Sequence, residues 1–81
     1  MKAVKADYFD EVKNVLTEVG LEPSSITRDS HLSKDLGLDS LDLTDLMMRL
    51  EVKFGLQVVD VEAEKLATVE DVANYMDSKL S

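Results

Sequence analysis

The sequence predicts an all-α fold, a small four-helix bundle with three longer helices, one short helix and a long first loop. Apolar residues recur with the 3.6-residue period of a helix in three separate segments. The chain has 81 residues, 44% of them apolar, which suits one small domain with a modest core. Three glycines and one proline leave no linker, so we expect a single domain over residues 1–81.

The first helix is indicated by an amphipathic segment near the start of the chain. Its apolar stripe consists of Tyr8, Val12, Val15, Leu16 and Val19, with charged residues mostly on the other face. Gly20 stops this helix, with Pro23 just beyond. Residues 20–39 then show no sustained period. A loop of that length in so small a domain is often functional.

A second helix is predicted over residues 40–54, with Asp39 as its N-cap and Gly55 as a left-handed C-cap. Its apolar positions are Leu43, Leu46, Met47, Leu50 and Phe54. The next residues are β-branched or apolar, but no second strand is available to pair with them. We therefore predict a connector leading into a short helix over residues 61–66.

The last helix is predicted to open on a variant capping box made by Thr68 and Asp71, with aspartate where glutamate is usual. Its apolar residues again follow the helical period; they are Val69, Val72, Ala73, Met76 and Leu80.

The charge balance restricts the partners of this protein. Seventeen acidic against nine basic residues give a formal charge of -8, which repels nucleic acid and anionic membranes and attracts basic protein surfaces. The absence of cysteine excludes disulfides, thiolate metal sites and cysteine nucleophiles. No apolar run approaches a membrane span, and the lysine-bearing start lacks the apolar stretch of a signal peptide. We expect a cytoplasmic monomer.

The most informative motif is the octet Asp35-Leu36-Gly37-Leu38-Asp39-Ser40-Leu41-Asp42. It places one serine between two aspartates, in the first turn of the second predicted helix. Free N–H groups and the positive end of the helix dipole favour a bound anion there. The residues alone leave two interpretations open: Ser40 carries a phosphate-linked group, or it belongs to a helix cap.

With this octet in its helical context, the chain resembles the acyl carrier proteins from about residue 8 to residue 80. Further matches are Glu51, Phe54, Ala63-Glu64-Lys65 and Thr68-Val69. The resemblance implies that a transferase attaches 4′-phosphopantetheine from coenzyme A to Ser40, and that acyl groups ride on the thiol of this arm as thioesters. It implies a carrier without catalytic residues or a metal site, which delivers acyl intermediates to fatty-acid or related biosynthetic enzymes.

The resemblance also assigns roles to residues around Ser40. We expect Gly37, Asp39 and Leu41 to support the arm or the approach of its transferase. The second helix should dock acyl-transferring and chain-elongating enzymes with basic patches, through Asp39, Leu41, Asp42, Asp45, Met48, Arg49 and Glu51. An acyl chain should withdraw between the helices, beside Leu46, Met47, Leu50, Ala63, Leu66, Val69 and Tyr75.

Three residues of the second helix depart from the family pattern, which is acidic almost throughout in the most familiar fatty-acid carriers. Arg49, Val52 and Lys53 interrupt the acidic run. A basic residue on a docking face weakens binding to a basic patch, which suggests a different or narrower set of enzymes. Val59 stands where proline often occurs, which leaves the connector less rigid.

Several alternatives stay open. In one alternative the arm carries amino acids, hydroxyacids or polyketide units, because the attachment octet does not distinguish cargo. In a different class, the chain is an acidic adaptor whose Ser40 is unmodified. A calcium sensor is disfavoured because Asp35, Asp39, Asp42 and Asp45 lack the EF-hand spacing. An enzyme is the weakest option, since the sequence offers no acid–base pair, metal-ligand cluster or phosphate-cradling glycine loop. The single histidine, His31, is expected to be a solvated loop residue and not a base.

Overall fold

A computed structural model describes residues 8–80, with the backbone alone for Asp60. Its helices are α1 (Phe9–Glu18), α2 (Ser40–Phe54), α3 (Asp60–Ala63) and α4 (Val69–Leu80). A 3-10 turn, Pro23–Ser25, lies in the loop between α1 and α2. The predicted helical bundle is confirmed: over these residues the β pairing is limited to one isolated bridge, between His31 and Thr68. The lysine-bearing segment before Tyr8 lies outside the described residues.

The apolar stripes of the three longer helices meet in one core. The stripes predicted from the helical period contribute its buried side chains, together with three apolar residues of the first loop. These residues are Val12, Val15, Leu16, Ile26, Leu32, Leu38, Leu46, Met47, Leu50, Val69, Val72, Ala73 and Met76. Because loop residues are buried among helix residues, the long loop is fixed to the core. Between residues 8 and 80, no helix is long and apolar enough to cross a membrane.

Both predicted ends of α2 are confirmed. Asp39 Oδ1 accepts a hydrogen bond from the N–H of Asp42 at 2.9 Å, and Asp42 Oδ2 accepts one from the N–H of Asp39 at 3.2 Å. This reciprocal capping box satisfies two N–H groups at the helix start. At the other end, Gly55 adopts φ 67° and donates to Glu51 O. Only glycine takes this left-handed conformation without steric cost.

The short helix α3 differs from its prediction. It covers residues 60–63, whereas residues 61–66 were expected to be helical. The N–H groups of Lys65 and Leu66 donate to carbonyls three residues earlier, Glu62 O and Ala63 O, both at 3.1 Å. Such i to i−3 bonds close a turn and do not continue an α-helix.

The start of α4 is tied to the first loop. Leu32 N–H donates to Ala67 O at 2.8 Å, and Val69 N–H donates to Ser30 O at 3.0 Å. The predicted capping box is confirmed, because Thr68 Oγ1 accepts from the N–H of Asp71 at 3.1 Å and Asp71 Oδ2 accepts from the N–H of Thr68 at 3.1 Å. The loop that precedes α2 is thereby held against the first turn of α4.

Asp71→Asn is expected to lower the free energy of unfolding at neutral pH more than at acid pH. Hydrogen bonds from the N–H groups of Ala67 and Thr68 hold the pKa of Asp71 below its ordinary value. Because the folded state lowers this pKa, the stabilisation is present above about pH 4 and is lost as pH falls through the lowered pKa. We expect the variant to lose about 1–2 kcal/mol at pH 7 and much less at pH 2.

Urea unfolding of both proteins at pH 7 and pH 2 measures this difference. Asp29→Asn, at an exposed loop position, is the control and should cost less than about 0.5 kcal/mol. An equal loss for Asp71→Asn at the two pH values would contradict the role of the ionised carboxylate.

Candidate functional site

Ser40 is the first residue of α2 and follows the N-cap directly. Its side chain is exposed, and its carbonyl accepts a hydrogen bond from Thr44 Oγ1 at 2.9 Å. Over residues 8–80, no basic side chain forms a hydrogen bond with the Ser40 hydroxyl that would activate it as a nucleophile. An exposed, unactivated hydroxyl suits modification by another enzyme.

The segment before Ser40 is a tight turn held by its own side chains. His31 donates its N–H to Asp35 Oδ2 at 2.7 Å, and its ring Nδ1 accepts the N–H groups of Ser33 at 3.2 Å and Lys34 at 3.1 Å. His31 is half-buried and caps this turn, a role that differs from the predicted solvated loop residue. An isolated β-bridge also joins His31 to Thr68.

Gly37 and Leu38 complete the approach to the serine. Gly37 adopts φ 73°, a left-handed conformation that other residues avoid, and donates its N–H to Ser33 O at 3.0 Å. Leu38 is buried in the core just before Asp39. The turn and this apolar anchor together fix where α2 begins, and so where Ser40 stands.

The outer face of α2 presents most of the residues predicted to bind partners. Leu41 is 79% exposed and Met48 is 57% exposed. The remaining exposed members of the predicted set are Asp39, Asp42, Asp45 and Arg49. Glu51 differs from them: it is half-buried, and its Oε2 accepts the N–H of Val58 at 2.9 Å. The structure therefore turns Glu51 toward the connector before α3.

The cations that interrupt the acidic face are paired with acids. Arg49 lies 3.1 Å from Asp45 Oδ2 through Nε and 3.7 Å from Glu18 Oε1. Lys53 also pairs with Glu18, which lies at the end of α1. Val52, between the two cations in sequence, is 86% exposed. The half of α2 next to Ser40 is thus acidic, while the far half is partly apolar and carries two cations that pair with Glu18 of α1.

A cavity of about 430 Å³ opens beside Ser40, between α2 and the segment around α3. Most of its lining is apolar; the lining residues are Leu32, Ser40, Leu43, Thr44, Met47, Met48, Glu51, Val58, Ala63, Glu64 and Leu66. The α2 members lie at positions 3, 4, 7, 8 and 11 after the serine, mostly on the helical face that carries Ser40. Counting this spacing from Ser40 would have found Leu43, Thr44 and Glu51, which the prediction of the acyl pocket missed.

The structure divides the residues predicted to contact an acyl chain into three groups. Met47, Ala63 and Leu66 line the cavity. Leu46, Leu50 and Val69 lie in the core, each no more than 1% exposed. Tyr75 does not line the cavity either; its hydroxyl donates to Glu62 Oε1 of α3 at 2.8 Å.

The geometry fits a serine-linked arm. Ser40 is exposed at a helix start, and it is one of the residues that line a largely apolar cavity. Over residues 8–80, no three His, Asp or Glu side chains converge as a metal site would require. The arrangement can present a group on Ser40 and shelter an apolar chain beside it.

Comparisons with known proteins agree with this geometry. The family model described as phosphopantetheine attachment site matches residues 10–76. The acyl carrier protein of Thermotoga maritima is 42% identical over 79 residues, which cover 96% of this chain and 98% of the relative. The acyl carrier protein of Campylobacter fetus is 47% identical over 70 residues, covering 85% and 91%. That of Wolinella succinogenes is 44% identical over 71 residues, covering 86% and 93%.

These matches confirm the resemblance predicted from the octet and its surroundings. The prosthetic group of the family is phosphopantetheine, and its members interact with a phosphopantetheinyl transferase and with enzymes that handle acyl groups. The chain belongs to the acyl carrier protein family, as a carrier and not a catalyst.

Proposed function

We propose that Ser40 bears the 4′-phosphopantetheine arm and that this protein delivers acyl thioesters to fatty-acid or related biosynthetic enzymes. The observation that carries the proposal is the position of Ser40, which is exposed as the first residue of α2 and also lines the cavity. When bound, the arm supplies the thiol that the chain itself lacks, since there is no cysteine. The transferase supplies the activation that the serine does not receive from its own protein.

The neighbours of Ser40 have supporting roles in this proposal. Asp39 starts α2 through its capping box and so fixes the direction of the serine side chain. Gly37 has no side chain and lies exposed in the turn, which leaves room for an approaching transferase. Leu41 offers an exposed apolar contact directly after the attachment point.

The cavity beside Ser40 is the proposed shelter for the acyl chain. Leu43, Met47 and Leu66 give the cavity an apolar surface. Burying an alkyl chain there is favourable by about 25 cal/mol for each Å² of apolar area that leaves water. Because Ser40 lines the cavity, an arm folded back along α2 would bring its cargo to the apolar lining residues.

The acidic half of α2 is the proposed docking surface for basic patches on the transferase and the acyl-handling enzymes. Asp42 and Asp45 are exposed there. Such charge pairs act mainly on encounter rate and orientation, which keeps complexes short-lived and allows turnover. Amino-acid or polyketide cargo would use the same serine. The cytoplasm is the compartment we propose.

Loading by a transferase tests the attachment site. After incubation with coenzyme A, Mg²⁺ and a broad-specificity phosphopantetheinyl transferase, intact-mass analysis should show one added phosphopantetheine. Ser40→Ala should show none, while Ser33→Ala, an exposed serine in the preceding turn, should load like the unmodified sequence. A folded protein that gains no mass would favour the acidic adaptor with an unmodified serine.

A further inference from the structure

The segment around α3 forms the outer wall of the cavity. Val58, Ala63, Glu64 and Leu66 line the cavity from this side, opposite α2. The helix itself is a single turn of four residues, and Val61 within it is 64% exposed. A helix this short has little stability of its own. The wall therefore depends on contacts that attach it to the longer helices.

Two consecutive backbone N–H groups attach the connector to α2 and to α4. Val58 N–H donates to Glu51 Oε2 of α2 at 2.9 Å. Val59 N–H donates to the Tyr75 hydroxyl of α4 at 3.2 Å. Side chains from two different helices thus hold adjacent residues of the wall.

Tyr75 also binds α3 itself. Its hydroxyl donates to Glu62 Oε1 at 2.8 Å, and Lys79 Nζ lies 3.1 Å from the same oxygen. The Lys79 ammonium is 5.4 Å from the centroid of the Tyr75 ring, within cation–π range. One phenol therefore accepts from the connector and donates to the helix that follows it.

The protonation states favour these contacts. The hydrogen bond from Tyr75, followed by that from Lys79, lowers the pKa of Glu62, and burial raises the pKa of Tyr75. At neutral pH the carboxylate is ionised and the phenol keeps its proton, so donor and acceptor remain matched. A charge-assisted bond of this kind is stronger than one between neutral groups.

We propose that Tyr75 is a positioning residue which, together with Glu62 and Lys79, latches α3 to α4 and so sets how well the cavity retains an acyl chain. The inference rests on the proposed function, in which the cavity shelters the cargo of Ser40. With the latch in place, the wall stays against α2 and the cavity keeps its volume of about 430 Å³. Without it, the wall moves away from α2 and water reaches the buried chain.

Tyr75→Phe is the test variant, because it removes the hydroxyl and keeps the ring. Amide hydrogen exchange at Val59 should accelerate at least about fivefold, while exchange at Val72 in the core should change less than twofold. The matched control is Tyr8→Phe, which removes the hydroxyl of a tyrosine whose ring packs edge-to-face on Phe54 of α2, with ring centroids 6.5 Å apart. It should leave exchange at Val59 unchanged. Unchanged exchange at Val59 in Tyr75→Phe, or an equal acceleration at Val72, would overturn the latch.

Cargo retention is measured on protein loaded at Ser40 with octanoyl or acetyl phosphopantetheine. Hydroxylamine should cleave the octanoyl thioester more slowly than the acetyl thioester in the unmodified sequence, because an acetyl group has little apolar surface to bury in the cavity. In Tyr75→Phe, octanoyl cleavage should accelerate at least about threefold, with acetyl cleavage unchanged. An unchanged octanoyl rate would refute the role in retention.

The two measurements separate this inference from the proposed function. Failure to load Ser40 would reject the attachment site, whereas hydrogen exchange tests the latch without any arm. Should Tyr75→Phe unfold, Lys79→Gln keeps the phenol and removes one partner of Glu62. It should accelerate exchange at Val59 about twofold, and no change there would also overturn the latch.

Discussion

Leu46→Ala is expected to lower the free energy of unfolding by about 2–5 kcal/mol. Leu46 is fully buried in the core on the inner face of α2. The substitution loses the transfer free energy of the side chain and leaves a cavity that the surrounding helices fill only in part. Total stability for 81 residues is about 4–12 kcal/mol, at roughly 0.05–0.15 kcal/mol per residue, so this one change removes a large share of it.

Leu41→Ala is the matched control, since it makes the same change on the same helix at a side chain that is 79% exposed. It should cost less than about 0.5 kcal/mol. Urea unfolding followed by circular dichroism measures both variants. Similar losses at the two positions would contradict the assignment of Leu46 to the core and Leu41 to the outer face.

Two charge changes on α2 are expected to have opposite effects on the rate at which a transferase with a basic docking surface loads the protein. Asp45→Lys should lower kcat/KM about tenfold at low ionic strength, because it places a cation where the basic patch approaches. Arg49→Ala should raise kcat/KM about twofold to threefold, because it releases Asp45 and Glu18 from their shared cation. Rates of phosphopantetheine transfer to the apo protein measure both effects.

Asp10→Lys is the control for net charge, since Asp10 is exposed on α1 and the charge change equals that of Asp45→Lys. It should change kcat/KM less than about twofold. At 1 M salt the differences among the variants should nearly vanish, because the screening length falls to about 3 Å. Equal effects of Asp10→Lys and Asp45→Lys would show that overall charge, and not the face of α2, governs docking.

The longer helices were predictable because their apolar period and their end signals agree. Asp39 and Gly55 bound α2, and Thr68 with Asp71 opens α4, as local sequence chemistry requires. The extent of α3 was not predictable. Its single turn is decided by tertiary contacts such as those of Tyr75, which lies 13 residues from Glu62 and 16 from Val59.

The candidate site was predictable at its centre and less so at its borders. Ser40 follows from the octet, but an apolar period does not separate a core residue from one that lines a cavity. Leu46 and Met47 are adjacent and both buried, yet only Met47 reaches the cavity. Arg49 and Lys53 pair with Glu18, which lies 31 and 35 positions earlier in the chain. The apolar period within each helix does not predict which residues of two separate helices face each other.

The most direct test of the central claim is to locate the prosthetic group in protein purified from the cells that make it. Trypsin cleaves after Lys34 and Arg49, and residues 35–49 contain a single serine, Ser40. Fragment-ion spectra of this peptide should place one phosphopantetheine on Ser40. A peptide that is unmodified throughout the preparation, or a phosphopantetheine found on any other peptide, would contradict the claim.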